Sequence, residues 1–354
     1  MGTVLLTGAG GFVVGHLAAA LAAVGERVVL LDERFDAGVV ERWRDCNARF
    51  VRCPAGALGA HVDEPVDAVV HGAALTASPV ELGWTPEAYL EHELGQASTV
   101  WRWAAEHDVR RCVFVSSAGV FAGDEAPLLD ERVEPRPDSH YGLAKRLIEG
   151  AIEGLRRLDG RDVCSVRLGD VFGTGERSRP SRPRTSLLRR MLDSATRDGL
   201  VPARVPSRSR AWSYAPDVGE ALQRLLAAPR LEHGLYHVST LERHDERSLA
   251  EAVAALVPGA RAVEVPAEPG HADDCVAPAS GSDEGRGSPV GNARRAGRFV
   301  AERFARAFPD HVWTPLAAAL PALLDAATQV STQAAAKASS QAAAQDPATI
   351  GATP

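Results

Sequence analysis

A parallel, doubly wound α/β fold is predicted by three observations. Short apolar runs alternate with helical segments through roughly the first 170 residues. The first run leads into a helix through a glycine-rich turn, TGAGG at 7–11. The second run ends on a carboxylate, Asp32. Continuous apolar strands separated by helices are the pattern of a parallel sheet buried on both faces.

Val4, Leu5 and Leu6 form the first strand. Gly8, Gly10 and Gly11 turn the chain into an Ala/Leu helix that begins near Phe12 and ends at Gly25. A turn of glycines lets backbone N–H groups and a helix N-terminus approach a phosphate. Arg27 to Leu31 is the second strand, and Asp32 follows twenty-four residues after Gly8. That spacing suits a carboxylate that hydrogen-bonds the adenosine ribose of a dinucleotide. Phe50, Val51 and Cys53 suggest a third strand, and Ala68 to His71 a fourth. A helix spans Glu87 to His107, a strand Arg111 to Ser116, a helix Tyr141 to Leu158 and a strand Val163 to Leu168. The Tyr141 helix repeats Ala144, Leu147, Ile148, Ala151, Ile152 and Leu155 on one face.

After Gly173 the texture changes. Residues Glu176 to Arg184 are rich in Arg, Pro and Ser and read as a loop. Helices are expected over Leu187 to Thr196 and Asp217 to Leu226, and a returning strand over Leu235 to Val238. Val201 to Trp212 reads as loop or edge strand, and 268–291 as a mobile loop. A basic amphipathic helix follows over Ala293 to Phe308, then a short helix over Pro315 to Ala327. The expected division is a dinucleotide-binding core over 1–175, a substrate lobe with returning core elements over 176–325, and a disordered Ala/Gln-rich tail over 326–354.

Composition narrows the function. A chain of 354 residues with 45% hydrophobic and 24% charged side chains has room for one large domain and a smaller part. A formal charge of −7 and the lack of aromatic residues among the arginines argue against nucleic acid as a partner. No apolar run reaches transmembrane length and no signal-like leader stands at the start, so a cytoplasmic protein is expected. The five scattered cysteines read as buried thiols in a reducing compartment. His271, Asp273 and Asp274 read as loop residues, and no metal site is expected.

Tyr141 and Lys145 stand one helical turn apart and face the same way. Ser116 and Ser117 end the preceding strand, at the sheet edge where ligands bind. A phenol is a poor base near neutral pH. A neighbouring ammonium and an oxidised nicotinamide ring both favour its phenolate. Tyr141 is therefore the expected acid/base, Ser117 the hydrogen-bond partner of the reacting oxygen, and Lys145 a second ligand of the nicotinamide ribose. Arg177, Arg179, Arg182, Arg184, Arg189, Arg190, Arg204, Arg208 and Arg210 would form a positive mouth for an anionic substrate if they converge.

TGAGGFVVG at 7–15, Asp32, VVHGAA at 69–74, VSSAGVF at 115–121, YGLAK at 141–145, VRLGDVFGTG at 166–175 and RAWSYAPD at 210–217 occur in the order of a known family. The sequence resembles the extended short-chain dehydrogenase/reductases, which include NAD-dependent epimerases and dehydratases. The resemblance implies a Rossmann-type doubly wound sheet with a small C-terminal substrate-binding lobe, NAD as cofactor and a homodimer. It implies that Phe12 lies beside the pyrophosphate and that His71, Ala73 and Ala74 line the cofactor, with Ser116 at the same strand end. Ser117 takes the family serine position, four residues before Phe121. Asp32 takes that of the NAD-preferring acid, with Arg34 as a surface residue beside it.

Departures from the pattern bear on the substrate. Val14 stands where a third glycine is common, which would widen the helix–strand packing or shift the pyrophosphate slightly. His92 replaces a frequent Asn, and Asp170 another. Arg210 matches a phosphate-binding arginine of nucleotide-sugar enzymes, but a second, later arginine is missing from PAEPGHADD at 266–274. Ala118 and Gly119 follow Ser117, where dehydratases carry an acidic pair. The reading is hydride transfer at a secondary alcohol or ketone of a sugar, sugar acid or cyclic polyol, with Arg177, Arg182 and Arg210 as substrate ligands. The alternative is a sugar or nucleotide-sugar epimerase working through a transient ketone, and the remote one a non-catalytic NAD-binding protein.

Overall fold

The computed structural model describes residues 2–43, 46–121, 126–266 and 297–326. In chain order the first elements are β1 (Thr3–Thr7), α1 (Phe12–Ala23), β2 (Arg27–Asp32), α2 (Ala37–Arg42), β3 (Ala48–Arg52) and β4 (Ala68–His71). Then come α3 (Pro79–Leu82), α4 (Pro86–Glu106), β5 (Arg111–Ser117), β6 (Leu128–Leu129), α5 (His140–Asp159), β7 (Val163–Leu168) and β8 (Asp170–Phe172). The remainder holds α6 (Leu187–Asp198), β9 (Leu200–Val205), β10 (Arg210–Tyr214), α7 (Ala215–Ala227), β11 (Leu235–Val238) and β12 (Arg243–His244). It continues with α8 (Glu246–Leu256), β13 (Arg261–Pro266), β14 (Arg298–Phe299), α9 (Glu302–Ala307) and a last helix over 316–326.

Seven parallel strands form the central sheet in the order β11-β7-β5-β4-β1-β2-β3. Strand side chains alternate between faces, so each strand feeds two cores. Val4, Leu6, Val28, Leu30 and Val70 point to one face, where Leu17 and Leu21 of α1 meet Leu222 and Leu225 of α7. Leu5, Val29, Leu31 and Val69 point to the other, against Val100 and Trp103 of α4 and Ile148 and Ile152 of α5. The order reverses direction between β1 and β4, and a cleft opens at the carboxyl ends of such strands.

The lobe beside the cleft has its own core. Leu188, Met191 and Leu192 of α6, Val201 and Ala203 of β9, Leu249 and Val253 of α8 and Leu316, Leu320 and Leu323 of the last helix pack together. β9 pairs in parallel with β13, and β10 lies between β8 and β12.

One expectation changes. Over 293–308 the described residues hold no long helix: Arg298–Phe299 form strand β14 beside β6, and α9 spans only Glu302–Ala307. Phe299 stacks on His237 and packs against Phe121, and this tertiary contact overrides the local helical pattern. Of the two readings of Val201 to Trp212, edge strand holds: it contributes most of β9, which pairs with β13 in a two-stranded sheet, and the first half of β10. The loop 268–291, the start of the basic helix at 293–296 and the tail over 327–354 lie outside the described residues. No described helix is long and apolar enough to cross a membrane.

Candidate active site

The cleft measures about 820 Å³ and is lined by the glycine turn, Asp32, the loop after β4, the end of β5, Tyr141 and Lys145 of α5 and residues of the lobe. Gly8 has φ +73, and a Cβ on it would lie 2.6 Å from the backbone N of Ala73. Glycine is therefore needed here both for conformation and for close seating on the β4 end. Gly11 caps α1 without a side-chain hydrogen bond, so the first turn turns bare N–H groups toward the cleft. Asp32 accepts from the N–H of Gly10 at 3.0 Å and of Arg34 at 3.0 Å. Burial raises its carboxyl above the ordinary carboxylate range, opposed by those two N–H groups and by Arg179. A naked helix N-terminus beside a glycine cradle, with a carboxylate at the next strand end, fits the pyrophosphate and ribose of a dinucleotide.

Val14 is buried at 3% exposure, and its Cγ2 lies 2.3 Å from the point that a Cβ on Gly72 would occupy. The absent side chain of Gly72 leaves the room that Val14 fills.

Helix α5 begins at Ser139, whose side chain accepts from Gly142 N–H at 3.2 Å, and ends at Gly160 in the left-handed region. This start fixes where Tyr141 enters the cleft. Ser117 Oγ accepts from Gly119 N–H at 3.0 Å, which leaves its own hydrogen free to donate. A Cβ on Gly119 would lie 3.3 Å from Ser117 Oγ and 3.5 Å from Tyr141 Cε1, so both side chains pack beside Gly119. Lys145 Nζ lies 5.8 Å from the centre of the Tyr141 ring. Lys145 is buried, and desolvation lowers its ammonium pKa while Glu93 and Glu149 raise it.

Those two acids have no motif in the sequence. Glu93 is 4% exposed on α4, lines the cleft and accepts from Leu75 N–H at 3.1 Å. Burial raises its carboxyl, opposed by Lys145. Glu149 is 4% exposed and holds buried Arg167 through two bonds of 2.8 and 2.7 Å. Ser116 donates to the same carboxylate at 2.5 Å, so its hydroxyl is held on α5 although the residue lines the cleft.

Phe12, Ala73 and Ala74 line the cleft, as the resemblance implies. His71 sits behind it instead. It is 2% exposed, pairs with Thr7 Oγ1 at 2.8 Å and is kept neutral by burial, which pushes its pKa down to about 3. His92 lines the cleft half-buried, bonded to Gln96 and packed against Trp84.

Arg177, Arg179, Arg182, Arg184, Arg190, Arg204 and Arg210 all line the cleft, and acids pair with most of them. Arg177 lies 3.7 Å from Asp36, Arg182 2.5 Å from Glu176 and Arg184 3.5 Å from Glu81. Arg189 pairs with Asp193, and Arg204 with Glu246. Arg210 lies 3.2 Å from Asp170 and 4.8 Å over the Trp212 ring, on the lobe side of the cleft. Among the described residues no group of three or more His, Cys, Asp or Glu side chains is placed to hold a metal ion.

A doubly wound sheet with a dinucleotide cradle and a Ser/Tyr/Lys set beside it defines the class of nicotinamide-dependent short-chain oxidoreductases. The model of the NAD dependent epimerase/dehydratase family matches residues 4–238, and the chain belongs to that family; its cofactor is NAD. The chain is 29% identical over 185 residues to an ADP-L-glycero-D-manno-heptose-6-epimerase of Cupriavidus pinatubonensis, a match covering 49% of this chain and 52% of that protein. It thus spans about half the length of that relative. It is 24% identical over 247 residues to a UDP-glucose 4-epimerase of Lacticaseibacillus casei, covering 66% of this chain and 73% of the relative. The structure of a Thermus thermophilus UDP-glucose 4-epimerase in complex with NAD superposes with a TM-score of 0.70 at 21% identity, over 92% of this chain and 98% of that one.

Proposed function

We propose that the protein oxidises a secondary alcohol of a sugar-like substrate and that Tyr141 is the acid/base. The observation that carries this reading is that Ser117, Tyr141 and Lys145 line the same cleft, with Ser117 Oγ and the Tyr141 ring both packed beside Gly119. A substrate hydroxyl seated in the cleft beside these two side chains takes a hydrogen bond from Ser117 and gives its proton to the Tyr141 oxygen. The buried Lys145 ammonium favours the phenolate that accepts this proton. Lys145 also binds the nicotinamide ribose, while Asp32 holds the adenosine ribose and Gly10, Gly11 and Phe12 the pyrophosphate. Bound NAD supplies the hydride acceptor. In the reverse direction Tyr141 returns the proton to the ketone oxygen.

Two outcomes share these steps. Release of the ketone is net oxidation; return of hydride to its other face is epimerisation. The epimerase relatives support the second outcome. Dehydration lacks its acid, since Ala118 and Gly119 follow Ser117. Arg210 on the lobe side is the substrate ligand best placed for an anionic group, whether a sugar acid or a sugar phosphate. Arg177 and Arg182 enter the cleft from the cofactor side. Leu143 and Leu147 leave an exposed apolar stripe on α5, which supports a homodimer through that helix. The buried free thiols Cys53, Cys112 and Cys164 support a reducing, cytoplasmic setting.

The test is Tyr141→Phe. Turnover of sugars, sugar acids, polyols and nucleotide sugars is followed by NADH absorbance and by product chromatography. A loss of about 10²–10⁴-fold with NAD binding intact is expected. Turnover equal to wild type would remove Tyr141 from the reaction.

A further inference from the structure

The segment 176–186 is not used by the chemistry, yet it is built into the cleft. Arg179 and Arg182 exchange two backbone hydrogen bonds, 2.8 and 2.9 Å, which close a narrow hairpin with Pro180 and Ser181 at its tip. The Ser181 carbonyl accepts from Thr76 N–H at 2.8 Å and Ala77 N–H at 3.3 Å, on the loop after β4. At the base, buried Glu176 accepts from Arg182 at 2.5 Å, Ser186 N–H at 2.8 Å and Ser186 Oγ at 2.6 Å. On the other side Arg179 Nη2 donates to Asp36 Oδ2 at 3.0 Å. The hairpin therefore bridges the loop after β4 and the loop after β2, the two walls of the cofactor half of the cleft.

Its cations face the glycine turn. Arg179 Nη1 lies 3.1 Å from the point that a Cβ on Gly10 would occupy. The Arg182 guanidinium lies 5.7 Å from the ring of Phe12, the first residue of α1. A guanidinium carries five donors in a fixed fork, so Arg179 can hold Asp36 with one nitrogen and present another to an oxyanion. An anion on the turn would meet the bare N–H groups of α1 on one side and the Arg179 fork on the other.

We infer that residues 176–186 form a strap over bound NAD, with Arg179 a direct ligand of its pyrophosphate and the Arg179–Asp36 pair the latch. The inference rests on the reading that the cleft holds NAD across the glycine turn. It deepens that reading: a strapped cofactor leaves more slowly than hydride is exchanged, which keeps the reduced form in place to return hydride to the ketone. The strap thus commits the site to epimerisation rather than to release of NADH.

The test compares wild type with Arg179→Met and Asp36→Asn as full chains. NAD content is measured after denaturation of the purified proteins. NADH release is timed by fluorescence on dilution into excess ADP-ribose. ADP-ribose and adenosine affinities are measured by calorimetry on protein stripped of cofactor. Loss of a charge-assisted bond to the pyrophosphate should speed NADH release by about tenfold or more in Arg179→Met. Asp36→Asn should speed it several-fold and, as a change at a half-exposed carboxylate, covers the case of a poorly folding Arg179 variant. ADP-ribose should weaken in parallel, while adenosine, which has no phosphate, stays within about twofold of wild type. Release rates unchanged in both variants would overturn the strap. Equal weakening of adenosine and ADP-ribose would overturn the pyrophosphate contact. Wild type that binds neither NADH nor ADP-ribose would instead overturn the cofactor reading on which the strap rests.

Discussion

Gly72→Ala offers a direct test of how the cofactor turn is seated. The new Cβ would lie 2.3 Å from Val14 Cγ2, against the ~3.5–4.0 Å of an ordinary carbon contact. Val14 cannot swing away, because a β-branched residue in a helix has one strongly preferred rotamer. The Thr7 carbonyl at 3.4 Å and Val115 Cγ2 at 3.7 Å block the opposite direction. Either α1 or the end of β4 must move, at a cost of about 1–3 kcal/mol. The movement reaches the cofactor site because the Gly72 carbonyl carbon lies 2.8 Å from the Cβ position of Gly8. Urea unfolding of the stripped protein and titration with NAD should therefore both show a loss. Val14→Ala alone should destabilise by leaving a void. Combined with Gly72→Ala it should recover both readings, with a coupling of about 1–2 kcal/mol. A Gly72→Ala protein within about 0.5 kcal/mol of wild type, or two costs that simply add, would refute the steric argument.

Two further outcomes follow from buried charges. Glu93→Gln keeps the acceptor for Leu75 N–H but removes the carboxylate that raises the Lys145 pKa. Lys145 then loses its proton more readily, the Tyr141 phenolate is less favoured, and the acid limb of the pH–rate profile should move to higher pH by about one unit; an unmoved limb would sink the coupling. Arg111→Met leaves Asp162 and the carbonyls of Leu225 and Leu226 without their fully buried partner, so urea unfolding should show a loss of about 3–5 kcal/mol. NAD affinity should stay as in wild type, and a stability loss under about 1 kcal/mol would contradict the arrangement.

Much of the sheet was legible because its strands are short, largely apolar runs bounded by turns. Ala68–His71, Val163–Leu168 and Leu235–Val238 have the bounds their apolar runs predict. The dinucleotide turn and the spacing of Tyr141 and Lys145 are local patterns, and local patterns survive in sequence. The β9–β13 pair was not legible, since parallel pairing of 200–205 with 261–266 depends on register between distant segments. Glu93 was missed for a related reason. A glutamate within a helix reads as a solvated face, and only the approach of the Leu75 loop buries it. The arginine-rich loop was visible, but its partners were not. Asp36, Glu81 and Glu176 come from different stretches and pair with the cations that line the cleft.

Strand β5 has Arg111 at one end and Ser117 at the other. At ~3.3 Å per residue these ends stand about 20 Å apart. Arg111 ties the strand to the carbonyls that close α7 and to Asp162 ahead of β7. Ser117 opens on the cleft. One rigid rod thus carries the anchorage of the sheet at its foot and a wall of the cleft at its head. A change at the head leaves the foundation untouched, so the cleft can be reshaped without loss of the contacts that tie the strand to α7.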